Sequence, residues 1–300
     1  MKKLILLLAC SGCFKLMAQK ASGPIDSALL MKDVKTLADN KFEGRKTGTK
    51  GNRLAQFYLL DRFKQVGLKQ FNNTYEQPFY FTNNKGKVMG TNLYGYIPGK
   101  SESVIVISAH YDHVGIGKPN EAKDSIYNGA DDNASGVAGL LAMAVYFKKN
   151  PPNHTLIFAA FDAEEMGLQG AKAFVAKLPV PAANIVLNIN MDMISHNDKN
   201  ELYVCGTSHF PALKKHITAA AGKSNISLPM GHDKSGDGDQ DWTAQSDHHA
   251  FFVKKIPFLY FGVEDHVDYH KASDEYSRIN HSFFYQAVQS ILEVVKEADK

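Results

Sequence analysis

Apolar residues recur at helical spacing twice near the start of the chain, as Leu30, Val34 and Leu37 within 27–38 and again across 52–66, just before Gly67. Spacing of three to four residues marks one buried helix face, and glycine is favoured just past a helix end, so two helices are expected to open the fold. Short runs rich in β-branched and aromatic residues follow at 92–97, 104–108, 155–161, 185–190, 202–205 and 257–261. Most are nearly unbroken apolar runs, as in strands covered on both faces. Helical segments at 135–149, 168–177, 212–221 and 282–297 separate several of them. This alternation predicts the α/β class, a three-layer α/β/α sandwich around a mostly parallel central sheet. In such folds ligands bind at the carboxyl ends of the strands.

Ionisable residues gather at those ends. The run 104–108 leads into Ala109-His110-Tyr111-Asp112-His113, 155–161 into Asp162-Ala163-Glu164-Glu165, and 185–190 into Met191-Asp192, while Gly129-Ala-Asp-Asp-Asn-Ala-Ser-Gly136 precedes the helix of 135–149. A single Asp or His after a strand is ordinarily a turn residue or helix cap. Four such clusters on one sheet edge would be costly to bring together unless cations neutralise them. Imidazole and carboxylate without thiolate suit Zn²⁺ or a similar divalent ion, whereas all-oxygen sites suit Ca²⁺ or Mg²⁺. Transition-metal ions, as a pair, are therefore expected.

Composition narrows the picture further. The chain has 300 residues, 44% hydrophobic and 22% charged, ordinary values for a folded protein. Its 34 Lys and Arg are interspersed with 31 Asp and Glu, for a net charge of +3, which disfavours a nucleic-acid-binding stripe. Lys2 and Lys3 precede an apolar run at 4–10, and small or polar residues follow through Gln19, the pattern of a secretory signal peptide over residues 1–18 cleaved after Ala18. Leu7-Leu8-Ala9-Cys10 also fits a lipoprotein box, which would anchor the chain through Cys10 to the outer membrane instead. Either way the chain is expected to be exported, periplasmic or secreted. No other apolar stretch approaches the roughly 20 residues of a membrane span. Residues 19–300 show no linker or repeat and are expected to form a single catalytic domain. With Cys10 and Cys13 in the leader, only Cys205 remains, expected as a buried small hydrophobe.

Five ordered segments resemble the co-catalytic dizinc aminopeptidases of the bacterial leucyl aminopeptidase type, whose relatives include glutamate carboxypeptidases and glutaminyl cyclases. They are Ser108-Ala-His-Tyr-Asp-His113, Gly129 to Gly136, Asp162-Ala-Glu-Glu165, Asn190-Met-Asp192 and Tyr269-His-Lys-Ala-Ser-Asp274. The resemblance spans nearly all of the chain beyond the leader and implies a phosphorylase/hydrolase-like zinc peptidase fold. It implies two Zn²⁺ ions, one on His110 and Asp192, the other on Glu165 and His270, with Asp132 bridging them. It also implies a cis peptide after Asp132 and a tyrosine, Tyr269, that donates to the oxyanion. Glu164 is then the general base for a metal-bound water and the acid for the leaving amine; in extended chain it would point away from Glu165. Asp112, two residues beyond His110, is expected to accept the other imidazole N–H. The implied substrates are peptides with a free N-terminus.

Other features are weighed against plainer readings. Gly115-Ile-Gly-Lys118 lacks the spacing of a phosphate loop. Asp233, Asp237, Asp239 and Asp241 do not fit EF-hand spacing; a solvated loop is expected, with a Ca²⁺ site or a lip of the substrate pocket as alternatives. His248 and His249 are candidates to line the cleft but not to bind metal, and His113 is a candidate for its rim. His154, His196, His209, His216, His232, His266 and His281 are expected at the surface or in hydrogen bonds. Rival functions are glutaminyl cyclisation, a zinc carboxypeptidase or other amide hydrolase, and a binding module without metal. The last should have replaced one of His110, Asp132, Glu164, Glu165, Asp192 or His270, and none is replaced.

Overall fold

The computed structural model of the chain describes residues 23–84, 86–234 and 236–300. The leader, its cleavage site and Cys10 and Cys13 lie outside the described residues. In chain order the strands are β1 (Glu76–Asn83), β2 (Gly86–Ile97), β3 (Val104–His110), β4 (Gly115–Ile116), β5 (Ile126–Tyr127), β6 (Thr155–Phe161), β7 (Ile185–Met191), β8 (Tyr203–Cys205) and β9 (Phe258–Gly262). The α-helices are α1 (Ser27–Leu37), α2 (Lys50–Val66), α3 (Gly136–Lys149), α4 (Gln169–Ala176), α5 (Lys214–Ala221), α6 (His248–Val253) and α7 (His281–Ala298).

Seven strands form one mixed sheet in the order β1-β2-β6-β3-β7-β9-β8, and β4 and β5 form a separate two-stranded ribbon. The four central strands β6, β3, β7 and β9 are parallel, while β2 pairs antiparallel with β1 and β6, and β8 pairs antiparallel with β9. The apolar runs are unbroken because each central strand feeds two cores. Ile105, Ile107 and Ala109 of β3, with Leu156, Phe158 and Ala160 of β6, join the larger core, which contains residues of α1, α2, α3 and α7. Val104 and Val106, with Ile157, Ala159 and Phe161, enter the smaller core beside Phe174 of α4 and Phe251 of α6. Successive strand residues face opposite ways, so both sets must be apolar.

Helix starts follow local chemistry. Asp26, Thr49 and Asn280 cap α1, α2 and α7 by accepting the N–H of Leu29, Asn52 and Phe283. Gly67, at φ +73°, ends α2 in the left-handed conformation. Strand β1 escapes the sequence pattern: Pro78 and alternating burial are typical of an edge strand, not of a covered one. Among the described residues no helix is long and apolar enough to cross a membrane.

Candidate metal centre

Parallel strands deliver their carboxyl ends to one edge, and the predicted residues meet there. His110 is the last residue of β3, paired with Phe161 of β6, whose continuation carries Asp162, Glu164 and Glu165. Asp192 follows β7, and the chain beyond β9 returns Tyr269 and His270. Asp132 lies in the turn before α3, and the Asp132–Asn133 peptide is cis.

The two oxygens of Asp132 face two sets of partners. His110 Nε2 lies 3.3 Å from Asp132 Oδ1 and 3.1 Å from Asp192 Oδ1. On the other side, His270 Nε2 is 3.1 Å from Asp132 Oδ2 and 3.2 Å from Glu165 Oε2. His113 belongs to this second set: its Nδ1 stands 2.8 Å from Glu165 Oε1 and 3.6 Å from Asp132 Oδ2. The ring is fully buried, so the expectation that it sits at the rim is corrected. Its signal lay in the sequence as a second histidine one turn past His110, but only the path of the loop brings it inward.

A buried support holds Asp132. Asp274 accepts the N–H of Asp131 and of Asp132 at 2.9 and 3.0 Å. The guanidinium of Arg45, wholly buried, donates to the carbonyls of Tyr111, Leu37, Asn128 and Gly129 at 2.6–2.9 Å. Burial lowers its pKa to about 10. Gly129 has φ +57°, and a Cβ there would lie 2.1 Å from the carbonyl oxygen of Asp132, so no side chain fits. Arg45 carries no sequence signal of its own, since it acts on backbone that only the fold assembles, while Asp274 closes the Tyr269-to-Asp274 segment without its role being readable there.

Two expectations about local geometry change. Glu164 and Glu165 lie in a turn after β6, with Ala163 at φ +59°, not in extended chain. Asp112 presents its backbone carbonyl to His110 Nδ1 at 3.2 Å, while its carboxylate stands 3.7 Å away. The reason is that this carboxylate is occupied by the N–H groups of Glu164 and Glu165 and the hydroxyl of Thr47.

Crowding of acids and imidazoles sets the electrostatics. Burial pushes the Asp132 carboxyl up, yet His113, His110 and His270 outweigh it and hold it well below the usual range. Burial opposes the charge on His270, but Asp132 and Glu165 raise its pKa to about 10. Glu164 is pushed well above its usual value by burial and by Asp192, Asp247 and Glu165, against the pull of His110. Burial raises Asp247 to about 7, and both its oxygens are buried with no hydrogen-bond partner. Tyr269 is raised by burial and the nearby acids, so its phenol keeps its proton; its ring stacks on His270 with centroids 4.0 Å apart.

The donor set fits zinc. Both groups offer imidazole nitrogen and carboxylate oxygen without thiolate, and their facing atoms, 2.8–3.6 Å apart, approach the roughly 3.3 Å that bonds of about 2.0–2.1 Å give between tetrahedral ligands. Above the acids a cavity of about 50 Å³ shares Trp242, Gln245, Asp265 and Tyr269 with a cleft of about 600 Å³. Asp239 and Glu264 line the outer cleft, so one end of the 233–241 segment forms a lip. Asp233, at the other end, is not solvated: it is buried and accepts from Gly206 N–H and from the N–H and hydroxyl of Ser208. His248 and His249 face the carbonyls of Trp242 and Thr243, which form the base of that lip.

A mixed α/β sheet with clustered acids and histidines at its carboxyl edge defines an α/β protein with a candidate two-part metal centre. Residues 92–295 match the model of Peptidase family M28, and the chain belongs to that family. Over 215 residues it is 29% identical to aminopeptidase YwaD of Bacillus subtilis, covering 67% of this chain and 42% of that protein. It is 29% identical over 168 residues to the alkaline phosphatase isozyme conversion protein of Escherichia coli, 53% of this chain and 49% of the relative. The matches thus span half or less of these curated relatives. In structure the fold resembles a zinc aminopeptidase from Bacillus subtilis, with TM-score 0.75 and 17% identity over 92% of this chain and 96% of that one. A glutaminyl cyclase from Bacteroides thetaiotaomicron is about as similar, with TM-score 0.74 and 20% identity over 90% and 97%.

Proposed function

We propose that the chain is an exported zinc aminopeptidase, its residues 19–300 forming one catalytic unit behind a cleaved leader, that removes N-terminal residues from peptides. The observation that carries this reading is the pair of donor groups sharing Asp132: His110 with Asp192 on one side, Glu165 with His270 on the other. Each side would hold one zinc ion, and His113 supplements the second. Bound zinc supplies Lewis-acid polarisation of a carbonyl and lowers the pKa of a water nucleophile. Glu164, buried among acids and clear of the shared contacts of Asp132, takes the proton of the attacking water and returns it to the leaving amine. Tyr269, protonated and at the mouth of the site, donates to the oxygen that gains charge in the tetrahedral state. The carboxylates hold the free α-ammonium of the substrate, which restricts cleavage to the N-terminus.

The glutaminyl cyclase neighbour shares the fold equally well, so the site must decide. A complete double donor set favours hydrolysis. The test is a panel of aminoacyl amides, N-blocked peptides and glutaminyl peptides, assayed with the zinc-loaded and chelator-stripped chain. Zinc-dependent cleavage that requires an unblocked terminus supports the reading; cyclisation of glutaminyl peptides without hydrolysis, or cleavage of blocked peptides from the carboxyl end, overturns it.

A further inference from the structure

The cleft that opens outward from the metal centre has a charge of its own. Of the side chains lining it, Asp239, Glu264 and Asp265 are acidic and none is lysine or arginine. All three acids are exposed, and among the described residues none of them forms an ion pair with lysine or arginine. The basic group beside them is His232, whose Nε2 stands 3.9 Å from Glu264 Oε1. The chain as a whole carries a net charge of +3, so the negative cleft runs against the sign of the rest. Carboxylates gathered in a cleft without counter-charges focus a negative potential that attracts cationic groups.

The wall that carries these charges is held in place. Trp242 stacks on His232 with ring centroids 3.7 Å apart and planes 4° from parallel, and its backbone N–H donates to the His232 carbonyl at 2.8 Å. Gln245 Nε2 donates to the Asp239 carbonyl at 3.0 Å, and His232 Nδ1 stands 3.1 Å from the Gln240 carbonyl. Glu264 and Asp265 follow β9 within three residues of its end.

The division of the site into two spaces orders a peptide within it. The inner cavity of about 50 Å³ sets Met193, Val263 and Tyr260 beside the acids of the centre, which leaves room for the α-ammonium and a small first residue. Tyr269, the donor to the scissile carbonyl, lines both this cavity and the cleft of about 600 Å³. Asp265 also lines both, and its charge reaches the Tyr269 phenol. Chain beyond the scissile bond therefore passes Tyr269 and enters the reach of the three carboxylates.

From this geometry we propose that the outer cleft selects peptides with a lysine or arginine directly after the scissile bond, Asp239, Glu264 and Asp265 receiving the cationic side chain. This selection rests on the aminopeptidase reading and names the substrate class for it. A long aliphatic stem with a charged tip suits a wall of Trp242 and Tyr269 rimmed by carboxylates.

The test is kcat/KM of the zinc-loaded full chain on the peptide amides Ala-Lys-Ala, Ala-norleucine-Ala and Ala-Glu-Ala. Norleucine keeps the stem of lysine without its charge. Lysine is expected to exceed norleucine by about tenfold, the sum of three exposed ion pairs, and glutamate to fall below both. That ratio should shrink toward one in the double variant Asp239→Asn with Glu264→Gln, and in about 1 M salt, where screening acts within about 3 Å. Equal rates for lysine and norleucine, a ratio unmoved by the variant and by salt, or a preference confined to lysine as the first residue overturns the proposal. Calorimetric titration of the same peptides into the Glu164→Gln chain reads the ratio of affinities without turnover. Selective binding with no cleavage by the wild type would sink the aminopeptidase reading and leave the cleft assignment standing; cleavage with a ratio of one sinks the cleft assignment alone.

Discussion

Asp112 accepts the backbone N–H of Glu164 at 3.0 Å. Asp112 follows β3 and Glu164 follows β6, neighbours in the sheet, so one carboxylate ties together the loops bearing His110 and the two glutamates. Its second oxygen takes the N–H of Glu165 at 3.3 Å. Replacing Asp112 with Ala should loosen the turn and lower zinc affinity by about 10–100-fold, as for other residues that orient ligands. Competition with a chromogenic chelator measures this, and unchanged affinity would show that the turn holds itself.

Glu164→Gln keeps the size of the side chain but removes its proton transfer. Zinc content should stay at the wild-type level while kcat falls by about 10²–10⁴-fold, the usual contribution of a positioned acid or base. Near-normal turnover would remove Glu164 from the reaction.

Asp132→Ala takes away the carboxylate common to both donor groups, so the chain should retain less zinc than the wild type by elemental analysis after dialysis. Retention of the full complement would mean that the two groups bind independently of it.

Arg45→Met should destabilise the chain by about 3–5 kcal/mol, because the buried carbonyls of Leu37, Tyr111, Asn128 and Gly129 lose their donor. A urea midpoint within error of the wild type would show that these carbonyls find other donors.

The pH dependence of zinc uptake follows from His270. In the stripped chain its pKa is raised to about 10 by Asp132 and Glu165 against the effect of burial, so at pH 7 it carries a proton that zinc must displace. Calorimetry in buffers of different ionisation enthalpy should therefore record proton release, and affinity should fall as pH is lowered. The raised value also stabilises the stripped fold fully below the unfolded value of about 6.5, and that contribution is lost as pH rises through about 10. The stripped chain should thus melt lower at pH 10 than at pH 7 by more than the loaded chain does; equal shifts would contradict the assignment.

Much of this was legible in the sequence because central strands advertise themselves. Thr155–Phe161 was bounded correctly, and Val104–His110 differed only in extending to the histidine itself. His110, Asp132, Glu165 and Asp192 are brought together as the strand-end clusters implied, and His270 joins them as the resemblance implied. What escaped depends on how loops fold back. His113 turns inward after β3, Arg45 reaches carbonyls up to 87 residues away in sequence, and Asp112 serves the neighbouring turn with its carboxylate. Such contacts leave no periodicity, since their partners are backbone atoms that every residue possesses.

Cys205, the lone cysteine among the described residues, is buried at the end of β8, and burial raises its thiol pKa. The described fold therefore contains no crosslink that a reductant would open and presents no thiol that an oxidant would reach. The described fold thus owes none of its integrity to a sulfur–sulfur bond.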